Sequence, residues 1–252
     1  MSLSATKFRP SRLKLQRRQF IPYHIYQTQE FDKIPPKMKA MMDMLLNHNP
    51  EYTYHYFSDD DCRTFIRKHF GTKLLKIYDT LIPGAYKADL FRCCVLYIKG
   101  GVYIDSTFAS IKPLEEIIKS NDKLLLVKDR GTHGIYNAFM AGIKRHPFFK
   151  SCIKAMVNSV QTKYYGHDAL CPTGPTLLGN LFKKEFGLKE ITEGYYGKHV
   201  RLLEYFPLML YWKGEKQFIT KYPGFQEDLH GYNSQPHYPI LWSQRKIYKE
   251  FF

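Results

Sequence analysis

Ala85-Tyr86-Lys87-Ala88-Asp89-Leu90-Phe91-Arg92 is followed, after five residues, by Ile98-Lys99-Gly100-Gly101-Val102-Tyr103-Ile104-Asp105-Ser106-Thr107. Apolar residues at helical spacing predict a helix over Ala85 to Tyr97, which Gly100-Gly101 ends. Val102-Tyr103-Ile104 then reads as a strand that stops at Asp105-Ser106-Thr107. Asp89 and Arg92 stand three residues apart and share one helix face. A buried face does not carry both charges unless they have partners. Ligands of open α/β sheets bind at the carboxyl ends of strands, so helix, glycine turn and strand bring Asp89, Arg92 and Asp105 towards one crevice. A hard divalent cation takes oxygens from a carboxylate and from phosphates, and neutralises a leaving diphosphate. An arginine adds charge-assisted bonds to phosphate or sugar oxygens. A structural Asp–Arg pair with a strand-end aspartate capping a turn satisfies the same spacing.

The flanking chain alternates strand and helix. Ile21 to Thr28 and Tyr52 to Phe57 read as strands, with a helix over Lys37 to Asn47 between them after Pro35-Pro36. Ser58-Asp59-Asp60-Asp61 supplies an N-cap and first-turn acids for a helix over Cys62 to Phe70, which explains this acidic cluster better than a metal does. Leu124 to Val127 is a further strand. Phe148 to Val160 is an amphipathic helix, and Gly174-Pro175 opens another that runs to Phe182. Such alternation predicts a mostly parallel sheet flanked by helices. No repeat or linker interrupts it, so residues 21–252 are expected to form a single domain. Residues 1–20 carry six basic residues and no acid, and are expected to be a flexible arm.

A net charge of +15 favours anionic partners: nucleic acid, anionic lipid or phosphate-bearing substrates. No nucleic-acid-binding motif accompanies the charge, so no nucleic-acid partner is expected. The arm is expected to touch an anionic membrane or substrate. The five cysteines form no CxxC pair, and Cys93-Cys94 lie in an apolar helical stretch, which points to a reducing compartment. Neither a secretory signal nor a bilayer-spanning run is present. The expected location is the cytoplasm or the cytoplasmic face of a membrane.

The block from Ala85 to Asp105 resembles the DXD sugar-binding region of glycosyltransferase family 32, whose pattern is A-x-x-S-D-x-x-R, a helix, then G-G-x-Y-x-D-x-D. Ile21 to Thr28 is similar to the family's opening I-P-x-x-I-x-Q-T strand, which lines the nucleotide pocket. Asn137-Ala138-Phe139-Met140-Ala141 with His146-Pro147-Phe148, and Thr173-Gly174-Pro175, resemble its N-x-x-M-A … H-P-F and T-G-P segments. The resemblance implies a GT-A-like, Rossmann-type α/β fold and metal-assisted transfer of a hexose, possible donors being GDP- or UDP-linked, to a glycan, lipid or protein hydroxyl with retention of configuration. Mannose is among the sugars the family moves.

It also implies roles. Asp105 would contact metal and ribose, Thr107 the metal, and Asp89 with Arg92 the donor sugar. Tyr26, Gln27, Thr28, Tyr103, Ser106, Asn137 and Gly174 would line the donor site. The implied cofactor is Mn2+ or Mg2+, held by Asp105, Thr107 and His237. Two departures stand out: Ala88 replaces the family's serine, and Thr107 its second aspartate, which removes a charge from the metal's first shell. His230, Asn233, His237, Trp242 and Ser243 are candidates for a late loop over the nucleotide, with Trp242 stacking on sugar or base. The alternative is a catalytically impaired nucleotide-sugar or carbohydrate-binding protein.

Overall fold

The computed structural model describes residues 7–8, 18–29, 34–131, 133–230 and 236–250. In chain order the elements are β1 (Lys7–Phe8), β2 (His24–Thr28), α1 (Pro36–His48), β3 (Thr53–Phe57), α2 (Asp59–Thr80), α3 (Gly84–Lys99), β4 (Gly101–Ile104) and β5 (Ala109–Ser110). Then come α4 (Leu114–Ile117), β6 (Leu124–Lys128), β7 (Phe139–Gly142), α5 (Pro147–Gln161), α6 (Pro175–Phe186), β8 (Gly194–Tyr196), β9 (Val200–Phe206), β10 (Met209–Trp212), β11 (Glu215–Ile219), α7 (Phe225–Asp228) and α8 (Tyr238–Ser243).

Strand order is β1-β3-β2-β4-β7-β6-β9-β10-β11-β5, with β8 on β9. Parallel pairing joins β3, β2 and β4, and again β6 and β9. β7 runs antiparallel between β4 and β6, and β9 to β11 form an antiparallel meander that ends on β5. The sheet is therefore mixed, with parallel strands concentrated where the helices cross over.

Burial on both faces explains the apolar strands. Successive residues enter opposite layers: Tyr26, Tyr103, Leu124 and Leu126 face one core with α2, α3, α5 and α6. Ile25, Val102, Ile104, Leu125 and Val127 face the other with α1 and α4. α3 lies inside the first layer, with Leu90, Phe91 and Cys93 to Leu96 all buried, as a helix apolar on nearly every side must. Within α2 the helix expected over Cys62 to Phe70 does end there: Gly71 (φ 80°, ψ -175°) is not helical, and a second helical stretch follows it to Thr80.

Gly100 and Gly101 have φ of 65° and 109°. A Cβ on Gly101 would lie 2.7 Å from the His24 carbonyl oxygen of β2. Gly101→Ala is thus expected to lower stability by about 1–3 kcal/mol through strain at the start of β4, read from urea denaturation. An effect under about 0.5 kcal/mol would mean that β4 shifts without penalty.

Lys7–Phe8 pairs with β3 at His55 and Tyr54; the rest of the predicted arm up to residue 17 lies outside the described residues. Two residue pairs on a sheet edge contribute little. Deleting residues 2–17 is expected to lower Tm by no more than about 4 °C, roughly 1 kcal/mol for a domain of this size. A larger drop would show that the segment docks on the domain.

Candidate active site

α3 delivers Asp89 and Arg92 to the carboxyl end of β4, where Asp105 begins the next turn. Both charges are buried, at 7% and 5% exposure, so each needs fixed partners. Arg92 donates Nε to the Ala88 carbonyl at 3.2 Å and Nη1 to the Asn137 carbonyl at 2.7 Å. Its Nη2 lies 3.5 Å from Asp89 Oδ1 and 3.5 Å from Asp105 Oδ1. The guanidinium sits over the Tyr103 ring, 4.7 Å from its centre. Asp89 Oδ1 accepts from Asn137 Nδ2 at 2.8 Å, and Oδ2 from Thr173 Oγ1 at 2.7 Å.

Burial pushes the Asp89 carboxyl up to about 6, against Arg92, Thr173 and Asn137, which favour its ionised form. Burial also opposes the charge of Arg92, but Tyr103, Asp105 and Asp89 outweigh it, and its pKa is raised. The pair is a locked, charged constellation.

Around it opens a crevice with two lobes that share Arg92 and Asp105. The smaller, about 240 Å³, is lined by Thr28, Gln29, Tyr103, Ser106 and Thr107 among others. The larger, about 480 Å³, is lined by Asp89, Asn137, Gly174 and His237, with Tyr136, Tyr205, Tyr238 and Lys221. Thr28 donates to the Phe57 carbonyl at 2.9 Å, and Ser106 accepts from Gln29 Nε2 at 2.8 Å.

Other expected contacts fall elsewhere. Tyr26 is buried in the core, stacked on His55 with ring centres 5.1 Å apart, and lines neither lobe. Gln27 is buried as well; it donates to the Asp105 carbonyl at 3.3 Å and accepts from Tyr54 at 2.7 Å, so it positions the motif. Trp242 packs against the core and donates Nε1 to the Tyr165 carbonyl at 2.8 Å, away from the crevice. Ser243 donates to the Ile240 carbonyl within its own short helix and His230 is exposed; Asn233 lies outside the described residues. Ser58 caps α2 as expected, and Asp61 answers it to complete a capping box.

The proposed metal contacts meet a poor donor set. Thr107 Oγ1 donates to the Thr220 carbonyl at 3.0 Å and accepts from Lys221 Nζ at 3.2 Å. Asp105 faces Arg92, and His237 is an exposed imidazole at the start of α8. Mn2+ or Mg2+ seeks an oxygen-rich, anionic shell. Here one carboxylate stands with two fixed cations nearby, so Asp105, Thr107 and His237 do not fit a resident divalent ion.

Several lining residues had no signal of their own. Tyr136, from the connection between β6 and β7, and Tyr205, near the end of β9, stack in parallel, 4.3 Å apart at 1°, with the Arg130 guanidinium 5.4 Å from the Tyr205 centre. Lys221 follows β11 in a segment without a motif. Thr173, by contrast, was marked by its Thr-Gly-Pro turn.

Residues 35–124 match the family described as a glycosyltransferase sugar-binding region containing the DXD motif. The chain is 27% identical over 170 residues to mannosyl phosphorylinositol ceramide synthase CSH1 of Saccharomyces cerevisiae, covering 66% of this chain and 43% of that protein. It is 25% identical over 165 residues to inositol phosphoceramide mannosyltransferase 2 of Schizosaccharomyces pombe, covering 65% and 47%. The chain thus spans less than half the length of these relatives. The solved PaToxG glycosyltransferase superposes with a TM-score of 0.54 at 15% identity, covering 67% of this chain and 70% of that one, a likeness of fold.

Proposed function

We propose that this chain, which belongs to glycosyltransferase family 32, transfers a hexose from a nucleoside-diphosphate sugar to an acceptor hydroxyl with retention of configuration. The observation that carries this reading is the buried Asp89–Arg92 pair, locked by Asn137 and Thr173 at the neck between two lobes. The nucleotide lies in the smaller lobe beside Thr28 and Ser106, the sugar at the neck against Asp89 and Arg92, and Asp105 reaches ribose. The acceptor enters the larger lobe over the Tyr136–Tyr205 stack, whose flat faces suit a sugar or inositol ring.

Mannose is the sugar to try first, because the relatives' names specify mannosyl transfer. Their named acceptors are inositol phosphoceramides; together with the +15 charge they support a lipid with a phosphorylated headgroup. Five free, buried cysteines support a reducing compartment. No helix among the described residues is long and apolar enough to cross a membrane.

The test is incubation with GDP-mannose, or with UDP-linked hexoses, and vesicles containing inositol phosphoceramide, with glycan and protein acceptors in parallel. Labelled sugar on one acceptor, with matching release of nucleoside diphosphate, is expected. Tight nucleotide-sugar binding without transfer or hydrolysis would instead establish the binding-protein alternative.

A further inference from the structure

Glycosyltransferases with the DXD region generally use a divalent metal, yet the position that would complete its shell holds Thr107, and an ammonium occupies its hydroxyl. We propose that Lys221, seated on Thr107, is the built-in positive charge that receives the departing nucleoside diphosphate, so that donor binding and transfer proceed without added metal. This rests on the hexosyl-transfer reading above.

Three observations converge. First, the backbone around Lys221 is clamped to the motif: Thr107 Oγ1 donates to the Thr220 carbonyl at 3.0 Å, and the Tyr222 amide donates to the Thr107 carbonyl at 3.0 Å. Second, Lys221 Nζ donates to Thr107 Oγ1 at 3.2 Å, while the Phe225 ring centre lies 5.0 Å from the same nitrogen. Third, no carboxylate pairs with Lys221 among the described residues, and it lines the larger lobe while it holds Thr107 of the smaller one, beside Arg92 and Asp105, which both lobes share. A neutral hydroxyl at 107 positions the ammonium without neutralising it; an aspartate there would form an ion pair and cancel the charge. Lys221 and Arg92 thus present two cations to one crevice, the charge complement of a diphosphate.

In the transfer, the bond between sugar C1 and the β-phosphate oxygen breaks, and its electron pair stays on that oxygen. The acceptor hydroxyl oxygen bonds to C1, and its proton passes to the released diphosphate. Lys221 donates N–H bonds to the phosphate oxygens as their charge develops, which is where a fixed cation acts most strongly.

GDP and UDP are titrated calorimetrically into wild-type, Lys221→Met and Lys221→Arg protein, once in EDTA and once in MnCl2. The tighter nucleotide is expected to bind wild type in EDTA within about threefold of its affinity in Mn2+. Lys221→Met should weaken binding in EDTA by about 10–100-fold, as loss of a charged hydrogen bond does, and Lys221→Arg should recover most of it. Turnover of the corresponding nucleotide sugar in EDTA should follow the same order. Wild-type binding that requires Mn2+ overturns the proposal and leaves the transfer reading intact, and this comparison needs no variant. A folded Lys221→Met protein that binds as wild type in EDTA also overturns it. Binding of neither nucleotide in either buffer removes the transfer reading, and this inference with it.

Discussion

Asp89→Asn is expected to lower kcat/KM for transfer by about 10²–10³-fold while free nucleoside diphosphate binds within about threefold of wild type. The carboxylate receives Asn137 Nδ2 on one oxygen and Thr173 Oγ1 on the other, with Arg92 alongside. An amide presents N–H where Asp89 only accepts, and removes the charge that orients Arg92. The effect should appear in the sugar-transfer step because the nucleotide lobe does not include Asp89. The pH profile supplies a second readout. Burial raises the Asp89 carboxyl to about 6, so wild-type transfer should fall on the acid side with an apparent pKa near that value, and the limb should vanish in Asp89→Asn. The sign for stability is opposite. Between about pH 4 and 6 the unfolded carboxyl is ionised while the buried one keeps its proton, so this group's contribution to stability is lost as pH rises through that window. Wild-type activity in a folded Asp89→Asn protein would sink the assignment.

Asp122→Ala is expected to destabilise the fold by about 3–5 kcal/mol. Asp122 and Arg201 are 1% exposed each. Arg201 Nε donates to Asp122 Oδ1 at 3.2 Å and Nη2 to Oδ2 at 2.6 Å. Nη2 also donates to the Ile117 carbonyl, and the guanidinium packs 4.8 Å from the Trp212 centre. Alanine leaves a guanidinium inside the sheet with no counter-charge. Replacing both partners by apolar residues, Asp122→Leu with Arg201→Met, should recover part of the loss, because nothing charged then stays behind. Urea midpoints for the single and double variants decide it; a single-variant loss under about 1 kcal/mol would show that water reaches the arginine.

The helix–glycine–strand block was legible because each signal in it is local: periodicity over Ala85 to Tyr97, positive-φ glycines after it, and a strand cut off by Asp105. Asp89 and Arg92 stood out because charges on an apolar helix demand partners. The antiparallel half was harder to see. β7 reads Phe-Met-Ala-Gly, four residues without a β-branched side chain, and β11 begins Glu-Lys-Gln with its first two residues exposed. Long-range partners left no trace at all: Lys221 meets a hydroxyl 114 positions earlier, and Asp122 an arginine 79 positions later. Tyr26 and Trp242 misled for a different reason. Both have apolar bodies with one polar atom, and the core offered each a place, with a backbone carbonyl for the Trp242 N–H.

The clamp of Thr107 on Thr220 joins residues 113 positions apart, which gives the crevice a history during synthesis. At translation rates of about 5–20 residues per second, the motif turn leaves the ribosome roughly 6–23 s before the segment that supplies its lysine. During that interval Arg92 and Asp105 can be present without the second cation, and closure waits on a non-local pairing of the kind that forms slowly. Nascent chains released at 200 residues should therefore gain no nucleotide protection against protease, whereas chains that extend past residue 230 should.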